Sequence, residues 1–167
     1  MWYVLWTNTG NEEKTRQMIY KYADNTLYSK IAIPYRLKRH WHNRQSRLVK
    51  LLLFPSYLFI ESEKIQELVD DIKWFPGLNV VLHTEDMYCP LYKHEEKLLL
   101  DLLDEHEIID ISEGYMEGDQ VKITKGPLVG KEGLIKRIKR RQGVAIVEMN
   151  IFNRVTEVSL GLDLIGK

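Results

Sequence analysis

The sequence predicts an α+β protein in two parts. Three observations carry that reading: aromatic and β-branched runs alternate with helix-period segments between residues 2 and 104, both patterns then fade, and only short strands broken by glycine follow.

The first run, WYVLWT (2–7), is a strand by composition. Thr9 precedes Glu12 at capping-box spacing, and Thr15, Met18, Ile19 and Tyr22 recur at helical steps, so a helix is expected over 10–24. Ile31, Ile33 and Tyr35 alternate with smaller residues as a second strand, which Pro34 pushes toward an edge or a bulge. RLKRHWHNRQSRLVK (36–50), centred on His42-Asn43-Arg44-Gln45, has the length and turn chemistry of a projecting hairpin. LLLFPSYLFIE (51–61) is dense enough in apolar residues for a central strand. Ile65, Leu68, Val69 and Ile72 mark one helix face, stopped by Phe75-Pro76-Gly77. A strand over 79–83 and a helix over 93–104, with Leu98, Leu99, Leu102 and Leu103 inward, complete the order of a ferredoxin-like split βαβ unit. Its helices cover one sheet face and leave the other to a further cover or to binding.

Across HEIIDISEGYME (106–117) the signals fade, so the expected division is a domain at 1–106, a linker at 107–116 and a second domain at 117–167. The strands QVKIT (120–124), GLIKRI (133–138), VAIVEM (144–149) and VTEVSL (155–160) fit a small closed β-barrel. The stretch GDQVKITKGPLVGKEG (118–133) has the glycines and the lysine of a phosphate loop but not its spacing. Gly126 and Gly130 enclose only Pro127, Leu128 and Val129, and Glu132 stands where a Ser or Thr would hold magnesium. Gly126, Gly130 and Gly133 are therefore expected to supply positive φ and close backbone approach at a barrel corner.

Net charge is zero, but its distribution is not uniform. Residues 113–167 carry +3 and the remainder −3. No acid lies between Asp24 and Glu61, where Lys30, Arg36, Lys38, Arg39, Arg44, Arg47 and Lys50 fall. A second acid-free window, Glu132 to Glu148, holds Lys136, Arg137, Lys139, Arg140 and Arg141. With no signal-peptide pattern and no apolar run near the roughly 18 residues that span a bilayer, a cytoplasmic protein without membrane contact is expected. The lone Cys89 excludes an internal disulfide and a cysteine-based zinc cluster. His40 and His42 share a strand face without a third ligand, so no metal is expected. His83, His94 and His106 lack a nucleophile partner, and the Asp70-Asp71 and Glu95-Glu96 pairs lie on helices expected to be solvated. No enzymatic activity and no cofactor is expected.

GDQVKITKGPLVGKEGLIKRI followed by NIFNRVTEVSL (150–160) resembles a KOW domain, and WYVLWT with FPSYLFI (54–60) resembles two segments of the N-terminal domain of the NusG transcription factors. The likeness covers nearly the whole chain in the right order. It implies an N-terminal domain that docks on the clamp helices of RNA polymerase, with Trp2, Tyr3, Phe54, Pro55 and Tyr57 lining or supporting the contact. It also implies a KOW domain that recruits a partner through a barrel edge, at Leu128, Ile151 and Phe152. The second helix, IQELVDDIKWF, lacks the His-Thr-Thr run of some members. KRIKRRQG, where a mixed or acidic run is usual, resembles the LoaP branch, processive antiterminators that recognise a leader RNA hairpin. The alternative is a general elongation factor whose KOW domain binds ribosomal or termination proteins.

Five cations in six residues cannot all enter a barrel core, so Lys136, Arg137, Lys139, Arg140 and Arg141, with Arg154, are the candidate RNA contacts. Arg36, Lys38, Arg39, Trp41, Arg44 and Arg47 form a second candidate nucleic-acid surface, an aromatic among cations, for upstream DNA or RNA.

Overall fold

The structure, a computed structural model, describes residues 1–80 and 87–166. The chain forms two compact units, Met1–Ile33 with Phe54–Glu96, and Pro34–Leu53 with Lys97–Lys167.

In the first unit β1 (Trp2–Trp6) is followed by α1 (Glu12–Tyr22) and β2 (Lys30–Ala32). The chain leaves this unit for a hairpin, β3 (Tyr35–His42) and β4 (Gln45–Leu52), and returns as β5 (Tyr57–Glu61), α2 (Ile65–Ile72) and β6 (Asn79–Val80). The sheet order is β2-β5-β1-β6, antiparallel throughout, which is the split βαβ arrangement the sequence predicts. The rest of the strand expected over 79–83, with His83, lies outside the described residues. Four consecutive positions of β1 and three of β5 are buried. Successive side chains point to opposite faces, so both faces are covered here rather than one. Leu58, Phe59 and Ile60 are each 0% exposed, and each such burial is worth about 1.5–3 kcal/mol.

The dense run 51–61 is two elements, not one central strand. β4 ends at Leu52, and β5 begins only after a turn in which Ser56 has φ +78. The second expected strand likewise breaks at Pro34 into β2 and β3. Thr9 does not cap α1. Its hydroxyl bonds that of Ser56, while the buried Glu12 carboxylate accepts the Gly10 N–H at 2.9 Å and the Ser56 N–H at 2.7 Å. Tyr22, placed on the inner face by spacing, is exposed and packs edge-on against Trp74 at 5.8 Å.

α3 (Lys93–Leu102) buries Leu99 and Leu102, with Leu98 and Leu103 half-buried. Glu95 is also buried, not solvated, and accepts the Tyr92 N–H at 2.9 Å as a cap. β7 (Ile108–Ile109) then pairs in parallel with β3 in a three-stranded sheet β4-β3-β7. β8 (Ser112–Glu117), β9 (Gln120–Lys125), β10 (Ile135–Lys139), β11 (Val144–Ile151) and β12 (Arg154–Leu164) form the last sheet. The stretch 107–116 thus carries β7 and most of β8. The strand order is β10-β11-β12-β8-β9, with β12 and β8 parallel, a half-barrel whose edges β10 and β9 do not pair. A side-chain bond spans that seam: the Ile123 N–H donates to Glu132 Oε1 at 3.3 Å.

Gly126 fits its expected role, since its φ is +101 and an added Cβ would lie 2.6 Å from Ser112 Cα. Gly130 has positive φ in open space, whereas Gly133 has neither positive φ nor crowding and simply sits in a 3₁₀ turn, Glu132–Leu134. No helix among the described residues is long and apolar enough to cross a membrane.

Candidate nucleic-acid interface

The basic window of the half-barrel is presented by β10 and the 3₁₀ turn Arg140–Gln142 that follows it. Regular alternation would send one of any two adjacent side chains inward. A bulge between Ile135 and Arg137 shifts the register against β11, and Lys136 and Arg137 are both exposed. Gly143, left-handed at φ +62, ends the turn, its N–H donating to the Arg140 carbonyl at 3.2 Å.

Charge pairing divides the five cations. Glu148 and Glu157 face each other across β11 and β12, a repulsive cross-strand pair on its own. Lys136 approaches Glu148 at 3.3 Å and Arg137 approaches Glu157 at 3.1 Å, so these two cations offset that repulsion. Lys139, Arg140 and Arg141 are exposed, with no ion pair among the described residues. Arg154 is exposed beside the β11–β12 turn, its guanidinium 5.9 Å from the Phe152 ring.

The hairpin follows the sequence reading closely, with Asn43 and Arg44 both left-handed (φ +48 and +63), as a tight two-residue turn requires. Its cations differ in environment. Arg36 is half-buried, with Nη1 enclosed and unpaired among the described residues, and burial pushes its pKa down. The Arg39 guanidinium grips Asp163 at 3.0 Å, and that hydrogen bond raises its pKa. Lys50 lies 4.1 Å over the Tyr35 ring. Lys38 is half-buried and Arg44 and Arg47 are exposed, none of them ion-paired among the described residues. Trp41 is 60% exposed. His40 and His42 border a hollow of about 430 Å³ with Gln45, Ser46 and Arg47, and no three His, Cys, Asp or Glu among the described residues gather as a metal site.

The aromatic candidates are mostly interior. Trp2, Tyr3 and Phe54 are buried, and burial pushes the Tyr3 phenol pKa up. Pro55 is exposed and Tyr57 half-buried, so only these two of the five reach the surface appreciably. Leu128 and Ile151 are fully buried and Phe152 nearly so, which makes them packing residues of the half-barrel in this structure. Sequence reasoning missed Glu12, which fixes the turn carrying Pro55. The Thr9/Glu12 spacing was its signal, although the carboxylate serves Ser56 rather than a helix cap alone.

Residues 1–100 match the family model described as transcription termination factor NusG. The chain belongs to the NusG family. Residues 117–149 match the KOW motif. Over 99% of this chain and 97% of the relative, it is 25% identical to the transcription termination/antitermination protein NusG of Thermus thermophilus. It is 25% identical to the Treponema pallidum NusG over 96% of this chain and 95% of the relative. A solved structure described as domain interaction in Thermotoga maritima NusG is 28% identical, with a TM-score of 0.59, covering 96% of this chain and 92% of that one. The chain is therefore a NusG-type transcription termination/antitermination factor, of a family that is non-enzymatic.

Proposed function

We propose that this NusG-family chain is an elongation and processive antitermination factor, similar to the LoaP branch, that holds RNA polymerase through its N-terminal part and a nascent RNA hairpin through its half-barrel. In this reading residues 1–106 carry the polymerase-holding surface and 117–167 the RNA-reading one, and 107–116, which holds β7 and most of β8, runs between them. Pro55 and Tyr57 meet the polymerase clamp helices over a support of Trp2, Tyr3 and Phe54. The observation that carries the RNA half is the separation of cations along β10 and the 3₁₀ turn that follows it. Lys136 and Arg137 answer the Glu148–Glu157 pair, which leaves Lys139, Arg140 and Arg141 crowded, exposed and without an acid partner among the described residues. Three unpaired like charges in a row repel one another and are relieved by phosphates.

The two contacts support each other: polymerase binding tethers the half-barrel beside the emerging transcript and raises the effective concentration of its RNA. The reading in which the KOW domain instead recruits a ribosomal or termination protein through Leu128, Ile151 and Phe152 draws no support from their burial. A map of polymerase-associated chain across the genome tests the specialised role. Occupancy confined to a few long operons is expected, and occupancy on most transcription units would overturn it.

A further inference from the structure

The basic end of the half-barrel borders a cleft of about 550 Å³. Arg140, Arg141 and Gly143 of the half-barrel and Arg39 and Trp41 of the hairpin are among the residues that line it. Both groups belong to one compact unit. They are joined by the Arg39–Asp163 pair at 3.0 Å and by a close approach in which a Cβ on Gly161 would lie 2.6 Å from the Leu37 carbonyl oxygen.

We propose that this cleft is a subsite for one unpaired nucleotide of a folded RNA, its base stacked on the Trp41 indole and its phosphates held by Arg140 and Arg141. The inference rests on the RNA reading given above and adds the hairpin to it. Phosphate binding needs only cations, but selecting a loop or bulge over a plain duplex needs a flat surface for an unstacked base. Of the described residues lining the cleft, Trp41 is the only aromatic. Its cross-strand neighbour is Ser46, too small to cover an indole, and it remains 60% exposed. Asp163 lies in the same cleft and would repel a phosphate, but Arg39 neutralises it through three N–H contacts, leaving Arg140 and Arg141 as uncompensated charge. Arginine suits that position, because its planar fork bridges phosphate oxygens. Duplex DNA keeps its base faces stacked and offers nothing to the indole, whereas the loop of an RNA hairpin does.

The test is fluorescence anisotropy of the full chain with three probes: an RNA hairpin with an unpaired loop, a blunt RNA duplex of equal length, and the DNA version of the hairpin. Trp41→Ala is expected to weaken the looped RNA by about tenfold and leave the blunt duplex unchanged. Trp41→Phe should retain most of the affinity, while losing the quenching of tryptophan emission that looped RNA causes in the parent chain. Arg140→Glu with Arg141→Glu should weaken both RNA probes. If Trp41→Ala binds looped RNA as the parent does while the arginine reversal still weakens it, the cleft is not the subsite and the RNA reading stands without it. If the parent chain ignores every RNA at low ionic strength, both readings fall. Equal, Trp41-dependent binding of the DNA hairpin would assign the cleft to DNA and overturn the choice of RNA.

Discussion

The turn over residues 54–57 and the turn Arg140–Gln142 both expose candidate contact residues, yet they are built in opposite ways. The first is fixed from inside: Glu12, 3% exposed, accepts the Ser56 N–H, and the Tyr57 N–H donates to the Phe54 carbonyl at 3.2 Å. The second has no buried polar anchor among the described residues, where it is held by Gly143 and two backbone bonds beside a row of solvated cations. A surface that docks on protein gains from a preorganised apolar shape, whereas one that meets phosphate gains from unpaired charge. In the proposed function the two kinds of support suit two kinds of partner.

The largest expected effect concerns the anchored turn. Glu12→Ala leaves the Gly10 and Ser56 N–H groups without their acceptor, and chemical denaturation should show a loss of about 2–3 kcal/mol. A change within about 0.5 kcal/mol would show that the turn is not held from within. Next comes the unanchored turn. Reversing Arg140 and Arg141 to Glu should lower affinity for an RNA hairpin by about tenfold or more at moderate salt, while stability stays within about 0.5 kcal/mol. Reversing Lys136 and Arg137 should do the converse, costing stability through the exposed Glu148–Glu157 pair and affinity less. Equal losses of affinity from the two reversals would erase the distinction between paired and unpaired cations.

Smaller effects sharpen the same contrast. Gly143→Ala forces a Cβ into a left-handed position with room around it, so only backbone strain of about 1 kcal/mol is expected in a thermal or denaturant melt. Arg39→Ala removes a pair whose two side chains are 31% and 29% exposed, and about 0.5–1 kcal/mol is expected after solvent screening. The smallest effect depends on pH. Backbone hydrogen bonds hold the Glu132 carboxyl below its ordinary value of 4.5. Its contribution is present above that value and is lost as pH falls through the lower folded-state value. The stability gap between the parent chain and Glu132→Gln should therefore close on acidification below about 4.5 and stay constant above it.

Much of this architecture was legible because its signals are local. The hairpin from Tyr35 to Leu52 carries its turn chemistry and its charge in adjacent residues, and α2 shows its buried Leu68 and Ile72 by spacing alone. Other features depend on partners far along the chain. SEGYME has the composition of a linker, and its strand arises from pairing with β9 and, in parallel, with β12. The apolar run from Leu51 to Glu61 carries a local breaker in Pro55, but the hold that Glu12 has on the left-handed Ser56 comes from 44 residues earlier and has no local signal. The division of cations was hidden for the same reason: it needs the β10 bulge and the register that sets Glu148 against Glu157. Trp2, Tyr3 and Phe54 show the converse limit, since aromatic composition marks a core and a docking face alike.

In the proposed function Lys139, Arg140 and Arg141 grip the phosphates of folded RNA. The most direct measurement is the affinity of the purified chain for an RNA hairpin across a salt series. A log–log slope of about −3 is expected, shallower by about 2 when Arg140 and Arg141 are reversed. A parent chain whose affinity does not change with salt, or whose slope survives the reversal intact, would contradict it.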